Sequence, residues 1–268
     1  MNRRFHPVQL IVILFFTSIA FFITIRDREK VTYSAHFSAA ASLKEVMDEM
    51  VIAFERVHPS YLVTVDYGGS GAIREKVLSG APIDGIFLAS QEDIQKLDAG
   101  KVLENQQVLL QNRLVAVTAE NNLNTSYQSL TQLLSEATYI AIGEPNTVPA
   151  GSYAMEALTQ LVALETIEEK FVFGSDVRQV LSYVESVDSV IGFVYQTDVV
   201  VSSNIGIVAV IDSSTHAPIL YSSGLVRTDA KNPVAVAFNE FLASDSANDI
   251  YRKYGFELYE GETRSEGR

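Results

Sequence analysis

Four short segments place a small or polar residue where a helix is due to begin: Ala41-Ser42-Leu43-Lys44-Glu45, Gly68-Gly69-Ser70-Gly71-Ala72, Val148-Pro149-Ala150-Gly151 and Ser175-Asp176-Val177-Arg178. The first turn of a helix carries backbone N–H groups with no acceptor one turn back, and its aligned peptide dipoles leave partial positive charge there. Several such starts meeting in space make an anion site that needs no cationic side chain. Each residue also has a local reading. Ser42 with Glu45 fits a capping box, and Gly68, Gly69 and Gly71 supply positive φ for a strand-to-helix turn. Pro149 is a first-turn proline, which leaves the Ala150 N–H open in either case.

Composition narrows the chemistry. A formal net charge of −13 and a pI of about 4.7 exclude a nucleic-acid partner and broad electrostatic capture of anions, so any anion is held by aimed local dipoles. The chain has no cysteine, which excludes disulfides, thiolate metal sites, a cysteine nucleophile and a lipid-modified cysteine. Ser42 or Ser70 as a nucleophile requires a base, and His6, His36, His58 and His216 stand in no catalytic context. Gly68-Gly69-Ser70-Gly71 is not a phosphate-binding loop, because no Gly-Lys-Ser/Thr follows at the required spacing, and no His-Glu-x-x-His occurs. The chain therefore reads as a binding protein and not an enzyme. Arg178 reads as the partner of an acidic neighbour, Asp84 as the orienter of a loop, and Tyr195 as a strand-end tyrosine with a bonded hydroxyl.

The amino terminus carries Arg3 and Arg4, then an apolar run from Val8 to Ile25 of about 18 residues, then Arg26-Asp27-Arg28-Glu29-Lys30. This is an export segment, read either as a signal peptide with a small-residue cleavage position at Ser18-Ile19-Ala20 or as an uncleaved signal anchor. Either way the acidic body lies outside the cytoplasmic membrane.

Beyond this segment, short β-rich runs alternate with amphipathic helical stretches, the pattern of an α/β architecture. The apolar positions Leu43, Val46, Met47, Met50, Val51 and Phe54 form a helical stripe that stops at His58-Pro59. Successive βαβ units imply mainly parallel sheets, with ligands at the carboxyl ends of strands, where helices start. At 47% hydrophobic residues the chain can bury a large core, divided here into two lobes. The expected organisation is 1–30 export segment, 31–112 first lobe, 113–221 second lobe and 222–268 a return to the first lobe.

In order along the chain, Ala39-Ala40-Ala41-Ser42-Leu43, Gly69-Ser70-Gly71, Ser79-Gly80-Ala81-Pro82-Ile83-Asp84, Asp176-Val177-Arg178 and Gly192-Phe193-Val194-Tyr195 resemble the periplasmic molybdate-binding protein family. The longest matching block, Gly143-Glu144-Pro145-Asn146-Thr147-Val148-Pro149-Ala150-Gly151-Ser152-Tyr153-Ala154, is the most specific, and the likeness runs to Lys253-Tyr254-Gly255-Phe256. The resemblance implies a two-lobed type II periplasmic-binding-protein fold with the ligand in the interlobe cleft. It also implies a monomeric protein that captures molybdate or tungstate for the permease of an ABC importer, without a cofactor. By position it carries the oxyanion ligands onto Ser42 and Ser70 in the first lobe and Ala150, Val177 and Tyr195 in the second. The metal is reached only through its oxygens. A membrane-tethered oxyanion sensor, or a binding protein for a different anion, keeps the same fold.

Overall fold

Strand β1 (Tyr33–Ala40) delivers the chain to a short 3-10 turn at Ala41–Leu43 and then to helix α1 (Lys44–Val57). Val46, Met47, Met50 and Phe54 on α1 are buried on one face, and the helix stops at His58 because the residue before a proline is driven out of the helical region. The computed structural model describes residues 33–123, 129–187 and 190–261; the apolar amino-terminal run and the cleavage position at Ser18-Ile19-Ala20 lie outside them.

The first half continues with β2 (Tyr61–Gly68), α2 (Ser70–Leu78), β3 (Gly85–Leu88), α3 (Gln91–Ala99) and β4 (Leu103–Gln111). The second half runs β5 (Leu114–Ala119), α4 (Leu130–Glu136), β6 (Tyr139–Gly143), α5 (Pro149–Leu161), β7 (Phe171–Gly174), α6 (Val177–Ser186), β8 (Val190–Tyr195), α7 (Gln196–Val200) and β9 (Ile205–Val210). The chain then returns through β10 (Leu220–Val226), α8 (Pro233–Phe241), α9 (Asp245–Lys253) and β11 (Glu257–Leu258).

These strands form a six-stranded sheet in the order β11-β4-β10-β3-β1-β2 and a five-stranded sheet in the order β7-β6-β8-β5-β9. The expected α/β fold of two lobes is present, but the sheets are mixed rather than mainly parallel. Pairs β1–β3, β6–β7 and β6–β8 are parallel. Strand β10 runs antiparallel to β3 and β4, and β5 antiparallel to β8 and β9. In the first sheet β10 and the short β11 are reversed, and in the second β5; β10 and β5 are inserted where the chain crosses between lobes, and strand direction there is set by the route of the crossing rather than by a βαβ unit. The register of β10 also puts Tyr221 in the first sheet, opposite Leu110, and not in the second lobe.

Alternation along β3 shows how the first sheet is covered. Phe87 faces a core shared with Phe37, Phe54 and Phe238, whose rings meet edge to face with centroids 5.0 and 5.1 Å apart, whereas Ile86 and Leu88 face Ile73, Val77, Ile94 and Leu97 of α2 and α3. With both faces covered, the helix starts are left at the sheet edges where strands end. The two crossings between lobes lie side by side, joined by the Asn112 N–H donating to the Ile219 carbonyl at 3.1 Å.

Candidate functional site

Five elements end or begin at one place. Ser42 sits in the turn after β1 and Ser70 opens α2; Val148, Pro149 and Ala150 open α5, Val177 opens α6, and Tyr195 closes β8. Ser42, Ser70, Ala150, Val177 and Tyr195 together line a narrow cavity with about 10 Å³ of free volume, and each is at most 6% exposed. That volume is below the roughly 300–1,000 Å³ of sites for drug-sized molecules, so the occupant is a small ion or molecule.

The donors into this cavity follow from local structure. Pro149 has no N–H and the Gly151 N–H donates to the Val148 carbonyl at 2.9 Å, so the Ala150 N–H is the first open one of α5. On α6 the Asp176 carboxylate accepts from the Arg178 and Gln179 N–H groups at 2.9 and 3.0 Å, leaving the Val177 N–H outside the cap. The Ser70 Oγ accepts from the Ala89 N–H at 3.0 Å, which turns its own proton elsewhere. The Ser42 Oγ lies 3.1 Å from the Tyr221 hydroxyl.

Tyr195 corrects one expectation, because its buried hydroxyl has no hydrogen-bond partner within the described residues. Burial pushes this phenol well above its ordinary pKa, so it stays a neutral donor. A buried, unpaired hydroxyl at a cavity wall is a group waiting for an acceptor. Tyr195→Phe is expected to weaken binding of an anion in the cavity by about 1.5–3 kcal/mol, the worth of a hydrogen bond to a charged group. The ligand-free unfolding free energy, measured by denaturant titration, is expected not to fall, since no protein hydrogen bond is lost.

Three other expectations change. Ser42 makes no capping bond: the N-cap of α1 is Leu43, and Glu45 pairs with Arg178 across the lobes. Gly68, Gly69 and Gly71 have no positive φ, since among the described glycines only Gly80 and Gly255 do. Gly69 and Gly71 serve close approach instead, whereas a Cβ on Gly68 would meet nothing within 4 Å. A Cβ on Gly69 would stand 2.6 Å from the Thr147 carbonyl oxygen, and one on Gly71 would stand 2.8 Å from the Thr147 Cα. The Gly71 N–H donates to that same carbonyl at 3.0 Å. Helix α5 starts at Pro149, three residues before the amphipathic pattern becomes visible, and Gly151 lets it sit on the end of β6, where a Cβ would lie 1.9 Å from the Gly143 oxygen.

Among the described residues no Lys, Arg or His lines the cavity. Arg178 turns to Glu45 and to the Ala41 carbonyl, and Asp84 accepts from the His36 N–H and the Asn232 amide, holding a loop as expected. A larger open cleft nearby contains Arg74 and Lys96, but these pair with Asp93 and Glu92 and leave no free cation for an anion. Favourable potential in the small cavity comes from the starts of α2, α5 and α6, each contributing about 0.3–1 kcal/mol, up to about 2 when partly buried. Behind Tyr195, Asp198 accepts the Tyr195 N–H at 3.0 Å, and burial pushes its carboxyl up to about 7. Asn112, Tyr221 and Asp198 were not legible as site residues, because only long-range pairing brings them here.

Two lobes joined by paired crossings, with donors from both converging on a small closed cavity, define a two-lobed binding protein. The chain belongs to the bacterial extracellular solute-binding proteins, whose family model matches residues 35–257. It is 38% identical over 234 residues to YvgL of Bacillus subtilis, described as an ABC transporter substrate-binding lipoprotein, covering 86% of this chain and 88% of that one. It is 31% identical over 225 residues to the molybdate-binding protein ModA of Haemophilus influenzae, covering 81% and 87%. Among solved structures, the substrate-binding domain assigned to a molybdenum ABC transporter of Clostridium difficile matches with a TM-score of 0.65 at 34% identity, over 85% of this chain and 99% of that one. The protein is thus an extracytoplasmic solute-binding protein of the ABC transporter type and not an enzyme.

Proposed function

We propose that the cavity takes molybdate, and tungstate with it, for delivery to the permease of an ABC importer. The observation that carries this reading is the donor set. The hydroxyls of Ser42, Ser70 and Tyr195 and the N–H groups of Ala150 and Val177 line one cavity with no cationic side chain among the described residues. A fully deprotonated tetrahedral dianion offers acceptors only and is satisfied by neutral donors alone. Hydrogen phosphate keeps a proton and needs an acceptor; Asp176 in the lining has its Oδ1 on the Arg178 and Gln179 N–H groups and its Oδ2 3.4 Å from the Ser175 hydroxyl, so phosphate is the competitor that tests this discrimination. The names of the ModA relative and of the Clostridium difficile domain point to the same ligand. Charge-assisted hydrogen bonds of about 1.5–3 kcal/mol each bring micromolar or tighter affinity within reach.

Donors from both lobes give the ligand a stronger hold on the closed arrangement than on an open one, so binding favours closure. The relative YvgL is described as a lipoprotein, and this chain has no cysteine to lipidate. In this reading the apolar run Val8 to Ile25 either tethers the binding domain at the outer face of the membrane or is removed to release it.

Isothermal titration of residues 31–268 with molybdate, with tungstate, sulfate and phosphate as competitors, tests the assignment. One-to-one binding of molybdate and tungstate, undisturbed by sulfate or phosphate, is the expected result, and preference for either competitor overturns it. Ser42→Ala and Ser70→Ala are each expected to weaken binding by about 1–3 kcal/mol without unfolding the protein. Unchanged affinity in the double variant removes the site.

A further inference from the structure

The hydrogen bonds behind Ser42 have a fixed direction, and it originates at the crossing between the lobes. Asn112 lies in that crossing, between β4 and β5. Its Oδ1 accepts from the Arg113 N–H at 2.9 Å, which orients the amide and points Nδ2 at two hydroxyls, Thr197 at 2.8 Å and Tyr221 at 3.2 Å. An amide nitrogen only donates. Tyr221 is fully buried, and the two polar neighbours of its hydroxyl are this nitrogen and the Ser42 Oγ. Since the first of these is a donor, the phenolic proton goes to Ser42, and the opposite arrangement strands that proton in a buried site. Ser42 then has a lone pair occupied from behind, and its own proton is free for the cavity that it lines. The Tyr221 ring is held edge to face against Tyr195 at 5.8 Å and Phe256 at 5.4 Å, so the hydroxyl cannot wander.

We propose that Asn112 and Tyr221 are positioning residues that fix Ser42 as a hydrogen-bond donor to the bound anion, in a relay anchored at the crossing between the lobes. The inference rests on the reading of the cavity as an oxyanion site. The relay spans Thr197 on α7 of the second lobe, Asn112 in the crossing, and Tyr221 on β10 of the first. The polarity of Ser42 is therefore tied to the setting of the two lobes in which these three groups meet. Ser70 has its lone pair occupied by a backbone N–H of its own lobe, so only one of the two serines is wired this way.

A double-variant cycle decides between positioning and mere packing. Tyr221→Phe keeps the ring and removes the hydroxyl; Ser42→Ala removes the group on which the relay acts. Affinities for molybdate, tungstate, sulfate and phosphate are measured by titration for the parent, both single variants and the double variant. In the parent background Tyr221→Phe is expected to weaken oxyanion binding about tenfold. In the Ser42→Ala background it is expected to change nothing further. Equal loss in both backgrounds, or no loss in either, overturns the relay while leaving the binding site standing. Asn112→Asp tests the other end: a carboxylate takes the protons of both Tyr221 and Thr197, and the part of its effect that runs through Ser42 is expected to vanish in the Ser42→Ala background. A parent protein silent toward all four anions overturns the proposed function and the relay together.

Discussion

Gly69→Ala is expected to weaken oxyanion binding about a hundredfold while leaving the ligand-free protein at least as stable as the parent. The backbone at Gly69 has φ −66° and ψ 139°, which alanine adopts without strain, so nothing within the first lobe resists the change. Replacing glycine where the conformation is compatible reduces the entropy of the unfolded chain and adds about 0.4–1 kcal/mol of stability. The obstacle lies across the cleft. The new methyl would meet the Thr147 oxygen at 2.6 Å, Val148 Cγ2 at 3.1 Å and the Ser175 oxygen at 3.2 Å, all in the second lobe and two of them backbone. Backbone atoms at the starts of α5 and α6 cannot rotate away as a side chain can. Overpacking of this kind costs about 1–3 kcal/mol, and the upper figure is a hundredfold in affinity. Titration with molybdate and denaturant unfolding of the same sample separate the two effects. Parent-like affinity refutes closure by this face; a loss of ligand-free stability shows the two lobes locked together before ligand arrives.

The interlobe contacts argue that the glycines, more than the ion pair, set the closed geometry. Arg178 and Glu45 bridge the lobes, but their side chains are 28% and 36% exposed, and pairs at that exposure contribute about 0–1 kcal/mol. The Gly71 N–H to Thr147 carbonyl bond sits next to the cavity wall and closes one helix start on the other lobe. Closeness of backbones lets neutral donors from two lobes reach one small ion. A chain of net charge −13 that relied on distant attraction would repel that ion instead.

What was legible in the sequence was local. Proline at the first turn of α5, the aspartate cap of α6 and the apolar stripe of α1 act within a few residues of themselves and left readable patterns. The local reading of Ser42 as a cap fails although Glu45 fits a capping box, and its actual partner Tyr221 lies 179 residues away, beyond the reach of any local pattern. Nothing in the glycine-rich turn distinguishes a glycine needed for positive φ from one needed for a second lobe's approach, since both are absences of a Cβ. The reversed directions of β5 and β10 depend on where the chain re-enters each sheet, which alternation of apolar residues does not record. Tyr195 was readable as a buried strand-end tyrosine but not as an unpaired one, because satisfaction is a property of surroundings.

Asp198→Asn is expected to remove a pH dependence that runs from about pH 4 to about pH 7 in stability and lies near neutrality in anion affinity. Asp198 is buried, its Oδ2 holds the Tyr195 N–H, and its Oδ1 has no partner among the described residues. Burial is the main cause of its raised pKa, with Glu45 and Asp176 adding to it and Arg178 opposing. With a folded value of about 7 against a model value of 3.8, the folded state holds the proton more tightly than the unfolded chain. Its contribution to stability is therefore complete below about pH 4 and is lost as pH rises to about 7, a change of about 4 kcal/mol. At pH 8 Asp198→Asn is expected to stabilise the protein by about 1–3 kcal/mol, because the neutral amide keeps the bond to Tyr195 and removes a buried charge, at the cost of an amide NH₂ whose two N–H groups lack partners among the described residues. At pH 5, where the carboxyl is already neutral, that gain disappears. An anion bound against the hydroxyl of Tyr195 adds negative potential and draws the proton on more strongly, so parent affinity is expected to rise as pH falls from 8 to 6. The asparagine variant is expected to be flat over that range. Titrations at several pH values, in buffers of different ionisation enthalpy, read the proton uptake directly, and parallel profiles for parent and variant would place the pH dependence elsewhere.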